Sequence, residues 1–341
     1  MRLLGGAAFV LLLVVLVASR SGGLWKEDAS FHKGVTLGVF DIGSTPRSYG
    51  DELRQIQALG ADRISLPVYW FQKDVRAAEV HPYHGPGFAQ EAYDAQIRSV
   101  MGEARGLGLR LFLLPIVQLE QVAEGQWRGT IEPADWDRWF ASYERFLLHY
   151  ARLAEEEGVA LLSVGSELAS TEGFRERWED LIGKVRAVYG GSLTYSANWD
   201  HFREVSFWDQ VHFLGLSGYY GLSAEMPATY AVLQEAWQAI RSDLLAWQRT
   251  QGKPLLFTEI GYPSQAGAAR RPWDYTAGGY PDLRLQRLCF RAFIETWKET
   301  PELAGVYLWV WESGRGGRAD TGYAWRDKPA EREIEDWYQN L

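Results

Sequence analysis

"SVGSEL", Ser163 to Leu168, and "LLFTEIGYP", Leu255 to Pro263, are apolar runs that each deliver a glutamate, Glu167 and Glu259. A carboxylate behind such a run is costly to bury unless it is paired or has chemistry to perform. Both runs belong to a longer series. Strand-like segments recur as "GVTLGVF" (34–40), "DRISLPVYW" (62–70), "LRLFLLPIV" (109–117), "VALLSVGSE" (159–167), "LTYSANW" (193–199), "VHFLGLSGYY" (211–220), "PLLFTEIGY" (254–262) and "AGVYLWVWE" (304–312). Helical patterns lie between them. The clearest runs from Glu132 to Gly158 and sets Trp136, Trp139, Phe140, Tyr143, Phe146, Leu147 and Tyr150 on one face. Strands alternating with helices imply parallel pairing through crossover helices. Eight such units predict a single (β/α)8 TIM barrel over residues 33–341. A doubly wound α/β sheet is the alternative architecture, but no Gly-rich phosphate loop follows the first strand.

Composition narrows the function. The 341 residues are 47% hydrophobic and 23% charged, with a net charge of −9 and no basic tract, which argues against a nucleic-acid partner. Cys289 is the only cysteine, so neither an intramolecular disulfide nor a cysteine-based metal site can form. The six histidines show no H-E-x-x-H spacing, and no metal or cofactor is expected. Behind Met1-Arg2, Leu3 to Ala18 form an unbroken apolar or small-residue run. Residues 1–23 therefore read as a leader, either a signal peptide or a signal anchor that tethers the chain to a membrane through residues 3–18. The chain is expected to be exported to the periplasm or the exterior. Its oligomeric state is not legible.

Strand alternation gives the glutamates a direction. Leu161, Ser163, Gly165 and Glu167 share one face by parity, as do Thr194, Ser196 and Asn198, and likewise Gly215, Ser217 and Tyr219. Small and polar residues suit the crowded barrel interior, and branched apolar ones suit the helix layer. Glu167, Asn198, Tyr219 and Glu259 are thus expected at the axis near the strands' C-terminal ends, where barrel enzymes keep their chemistry. Two facing carboxylates are the minimum equipment for cleaving a glycosidic bond, one as proton donor and the other as nucleophile or base. Trp70, Trp199, Trp309 and Trp311 at strand ends offer indole faces to sugar C–H groups. The competing reading is a structural ion pair, with Arg63 as the available cation.

The stretches "RISLPVYW", "QWRGTIEPADWDRWFASYERFLLHYARLA", "VGSEL", "LTYSANWD", "LLFTEIGYPS" and "DKPAEREIEDWY" resemble, in order, glycoside hydrolase family 113. This is a family of clan A barrel hydrolases whose characterised members are retaining β-1,4-mannanases. The likeness runs from about Lys33 to the end of the chain. It implies Glu167 as general acid/base and Glu259 as nucleophile. Tyr219 or Tyr220 would orient the nucleophile, and parity favours Tyr219. Asn198, Trp199 and Tyr220 would lie near the substrate, as would Trp127 and Arg128 in the loop after the third strand. The implied substrate is a polysaccharide or oligosaccharide, β-1,4-mannan or its oligomers first and another β-linked glycan second. A transglycosylase and a non-catalytic carbohydrate-binding barrel are the other readings. Leu114 and Ile116 replace a usual polar run, Ser217 stands where Asp is common, and Ser166 where many clan relatives carry Asn. These departures bear on mannose specificity.

Overall fold

The computed structural model describes residues 30–39, 46–82, 89–277 and 279–341; the leader at 1–23, with its tether at 3–18, lies outside them. Nine strands are present among the described residues: β1 His32–Gly38, β2 Arg63–Gln72, β3 Val80–His81, β4 Arg110–Leu119, β5 Leu161–Ser166, β6 Ser192–Asn198, β7 Phe213–Ser217, β8 Leu255–Ile260 and β9 Leu303–Glu312. The sheet order is β1-β9-β8-β7-β6-β5-β4-β2, and β1 also pairs with β2, so eight strands close into a barrel. Every pairing around it is parallel. The ninth strand, β3, is an antiparallel addition at the end of β2 that the sequence reading did not include.

Crossover helices pack outside. The most instructive is α3, the third in chain order at Trp136–Glu156, whose first turn is capped by the Asp135 carboxylate accepting from Arg138 N–H. Its buried face carries Trp139, Phe140, Tyr143, Phe146, Leu147 and Tyr150, and the segment ends at Gly158 with φ +64°. The apolar core has two parts. A large layer lies between barrel and helices, and a smaller cluster of Phe112, Leu114, Ile116, Leu161, Leu256 and Tyr307 fills the barrel itself. Leu114 and Ile116 are therefore barrel filling. The interior is tight: a Cβ on Gly215 would lie 2.3 Å from the Tyr195 carbonyl oxygen and 2.5 Å from Thr194 Oγ1.

Alternation holds along β6 and β7 but breaks where the two glutamates emerge. Parity puts Gly165 inside, yet a Cβ there would meet Tyr143 Oη at 2.9 Å and Trp178 at 3.2 Å, in the helix layer. The β5–β6 register shifts between Ser163 and Ser166, and Glu167 then adopts φ +54°. On β8, Thr258 already faces inward, its hydroxyl 2.6 Å from Ser196 Oγ, so strict alternation would turn Glu259 outward. Register shifts with both neighbours between Leu216 and Ser217 and between Phe257 and Ile260 re-aim it. A bulge beside a functional side chain does this by inserting one unpaired residue.

Gly215→Ala tests the interior packing. Its methyl group would press on main-chain oxygen that cannot move without breaking the sheet, and overpacking of this kind costs about 1–3 kcal/mol. Denaturant unfolding should show that loss; unchanged stability would mean the barrel is looser at this level.

Candidate active site

Glu167 and Glu259 both end up buried at the C-terminal mouth of the barrel, 7% and 3% exposed. One strand serves both. Ser217 Oγ at the end of β7 donates to Glu167 Oε1, and two residues on Tyr219 Oη donates to Glu259 Oε2 at 2.9 Å. Arg128, in the loop after β4, places Nη2 2.6 Å from Glu167 Oε2. The other Glu259 oxygen, Oε1, has no hydrogen-bond partner among the described residues.

These contacts make the two carboxylates unequal. Glu259 is pushed up to about 8, first by burial and then by the charge of Glu167, with Arg128 and the Tyr219 hydroxyl pulling the other way. Burial opposes the charge of Arg128, but the charges of Glu167 and then Glu259 outweigh it and hold the guanidinium above its ordinary value. Arg128 thus responds to both glutamates while touching only Glu167. A negative charge on Glu167 is met directly by a cation; one on Glu259 is not. Arg63, the cation considered from sequence, sits at the start of β2 beside Asp62, 3.8 Å away, at the other end of the barrel.

Aromatic residues line the mouth selectively. Trp199 stacks on Trp273 with ring centres 5.6 Å apart and planes 22° apart. Trp309 is partly exposed at the end of β9, and Gly261 separates it from Tyr323: a Cβ there would meet Trp309 Cβ at 3.1 Å and the Tyr323 ring at 3.2 Å. Asn198 Nδ2 donates to Asp200 Oδ1 at 2.6 Å, and Ser217 Oγ lies 3.5 Å from Asn198 Oδ1. Trp127 is partly exposed, its ring laid over Gly129.

Three residues expected at the substrate face elsewhere. Trp70 stacks on Phe146 of α3 at 5.3 Å, in the outer layer. Trp311 is 1% exposed, pairs in register with outward-facing Leu37 and packs on Trp325. Tyr220 is wedged between Trp199 and Trp237. On β2 the inward residue is Tyr69, whose hydroxyl is pushed up by burial first and by the Glu259 charge next. Alternation in "ISLPVYW" already separates Tyr69 from Ile64, Leu66, Val68 and Trp70. Tyr323 was also missed. It lies 5.8 Å from the Tyr219 ring and 5.8 Å from Tyr275, which is 63% exposed. Trp273, Tyr275 and Tyr323 sit on loops, where no periodicity marks them.

The profile of glycoside hydrolase family 113 matches residues 44–339. A solved GH113 β-1,4-mannanase complex is 26% identical, covering 92% of this chain and 100% of its own, with a TM-score of 0.80. The GH113 β-mannanase AaManA from Alicyclobacillus acidocaldarius, solved with ManMIm, is also 26% identical, covering 92% and 98%, with a TM-score of 0.79. The Faecalibacterium prausnitzii β-glucuronidase shares the fold alone, at 14% identity and a TM-score of 0.56 over 92% of this chain and 49% of its own. No curated protein matches the sequence.

The Glu259 environment predicts a pH signature in stability. Its folded value near 8 lies above the ordinary 4.5, so the folded chain keeps a proton that the unfolded chain releases between those values. The stability linked to that proton is complete below about 4.5 and is lost as pH rises through about 8. Glu259→Gln, which cannot ionise, should unfold at a higher temperature than the parent, by a margin that widens from pH 5 to pH 8. A margin independent of pH would contradict this environment.

Proposed function

This chain belongs to glycoside hydrolase family 113, and on that premise we propose that it hydrolyses β-1,4-mannan or manno-oligosaccharides by double displacement. The observation that carries the reading is the pair of buried glutamates at the barrel mouth, one held by Tyr219 and the other by Arg128 and Ser217. Glu259 attacks the anomeric carbon while Glu167 gives its proton to the leaving oxygen. Glu167 then takes a proton from water, which releases the sugar with retained configuration. The Tyr219 hydroxyl stabilises the charged form of Glu259 and aligns it. Trp199 and Trp309 supply apolar faces to the sugar rings.

Burial and the neighbouring charge favour the neutral form of Glu259, whereas the reaction starts from its charged form. Positive charge growing on the anomeric carbon favours ionised Glu259.

Separate truncations test the roles. Glu259→Ala should abolish hydrolysis of every substrate. Glu167→Ala should lose mannan cleavage by about 10²–10⁴-fold while still reacting with aryl glycosides of acidic phenols, which need no proton. Azide should restore turnover in both variants, giving a β-glycosyl azide from Glu167→Ala and an α-azide from Glu259→Ala. The opposite pairing of products would exchange the two roles, and no activity on any β-mannoside in the parent would remove the substrate assignment.

A further inference from the structure

Glu167 is one of two non-glycine residues with positive φ among the described residues, at +54°. A left-handed conformation costs a residue with a Cβ about 1–3 kcal/mol and persists only where the surroundings enforce it. Four hydrogen bonds do so here. Glu167 N–H donates to the Ser196 carbonyl at 2.8 Å. Leu168 N–H, one residue on, donates to Tyr195 Oη at 2.9 Å, and the Leu168 carbonyl accepts from Thr171 N–H at 2.8 Å and from Thr171 Oγ1 at 2.7 Å.

Tyr195 itself is fully buried on the outer face of β6. Its ring edge lies 3.0 Å from where a Cβ on Gly165 would begin, so it bears on the chain on both sides of Glu167. Having accepted from Leu168, its hydroxyl can use its own proton only once, and that proton goes to Glu172 Oε1 at 2.8 Å. Glu172 is 0% exposed, and its second oxygen, Oε2, has no hydrogen-bond partner among the described residues. A carboxylate kept in such a place for a single bond calls for a reason. Burial pushes the Glu172 carboxyl up to about 7, and in either protonation state its Oε1 can accept the tyrosine proton, a bond that fixes the direction of the hydroxyl.

Building on the double-displacement reading above, we infer that Glu172 and Tyr195 are positioning residues that hold Glu167 in its proton-donating orientation, through the chain Glu172 carboxylate, Tyr195 hydroxyl, Leu168 N–H. Neither touches the substrate. Without the tyrosine hydroxyl, the Leu168 N–H is left unpaired and one of the restraints on the left-handed Glu167 backbone is lost, which lets the carboxyl shift away from the leaving oxygen. A misplacement of about 1 Å is enough to lower a rate by about 10²-fold.

The test compares kcat/KM on a manno-oligosaccharide with kcat/KM on 2,4-dinitrophenyl β-mannoside, whose departure needs no proton. Tyr195→Phe should lose about 10–100-fold on the oligosaccharide and less than ~3-fold on the aryl glycoside, because only proton donation is disturbed. Glu172→Leu should show the same selective loss. Glu172→Gln, whose amide oxygen can still accept from Tyr195, should recover most of the oligosaccharide rate. Equal losses on both substrates, or no loss on either, would overturn the inference, as would identical behaviour of the Gln and Leu variants. If Tyr195→Phe fails to fold, the two Glu172 variants decide alone. Glu167→Ala run alongside separates the levels. If it is not itself selective for the oligosaccharide, the acid/base assignment fails and the positioning role with it. If it is selective and the relay variants are not, only the relay fails.

Discussion

Two buried carboxylates and one guanidinium set the terms at the mouth of this barrel. Glu167 and Glu259 cannot both carry a full charge there without repelling each other, and Arg128 contacts only one of them. Burial and the charge of Glu167 raise the Glu259 carboxyl, while Arg128 sits against the other glutamate. Unequal surroundings of this kind are what the two proposed roles, acid and nucleophile, need. The end of β7 supplies Ser217 to one glutamate, and the segment that follows it supplies Tyr219 to the other.

The barrel achieves this by departing from regular strand geometry at two places. β5 and β8 both slip register just before their glutamates, and Glu167 takes a left-handed backbone as well. A regular strand would offer one inward residue in two. A bulge lets an inward Thr258 and an inward Glu259 follow directly, so the interior stays filled while the acid is presented above it. Farther out, the loop after β8 brings Trp273 against Trp199 and Tyr275 against Tyr323, and aromatic surface continues from the Tyr219 ring to solvent.

The strands and their parallel closure were legible because each one repeats the same apolar signal, and eight repeats leave few architectures. Parity chose Tyr219 over Tyr220, and Tyr219, two residues past the end of β7, carries the bond to Glu259. It failed for Gly165, since a bulge depends on neighbouring strands that local sequence does not reveal. Trp70 is a different case. The alternation of its own segment places it with Ile64, Leu66 and Val68, and attraction to a tryptophan at a strand end overrode that pattern. Family resemblance brought in Arg128 only as a residue near the substrate; its bond to Glu167 was not anticipated, because it reaches that glutamate from a loop 39 residues away in the chain.

The central claim is that Glu259 forms a covalent bond with the sugar. A 2-deoxy-2-fluoro-β-mannosyl fluoride tests it directly, because the 2-fluorine slows both displacements while the reactive fluoride leaving group speeds only the first, so the glycosyl-enzyme accumulates. Mass spectrometry of the peptic digest should find one fluoromannosyl group esterified to the peptide that contains Glu259, and none on that peptide in Glu259→Gln. A label on Glu167, or time-dependent loss of activity with no label on either glutamate, would contradict the account.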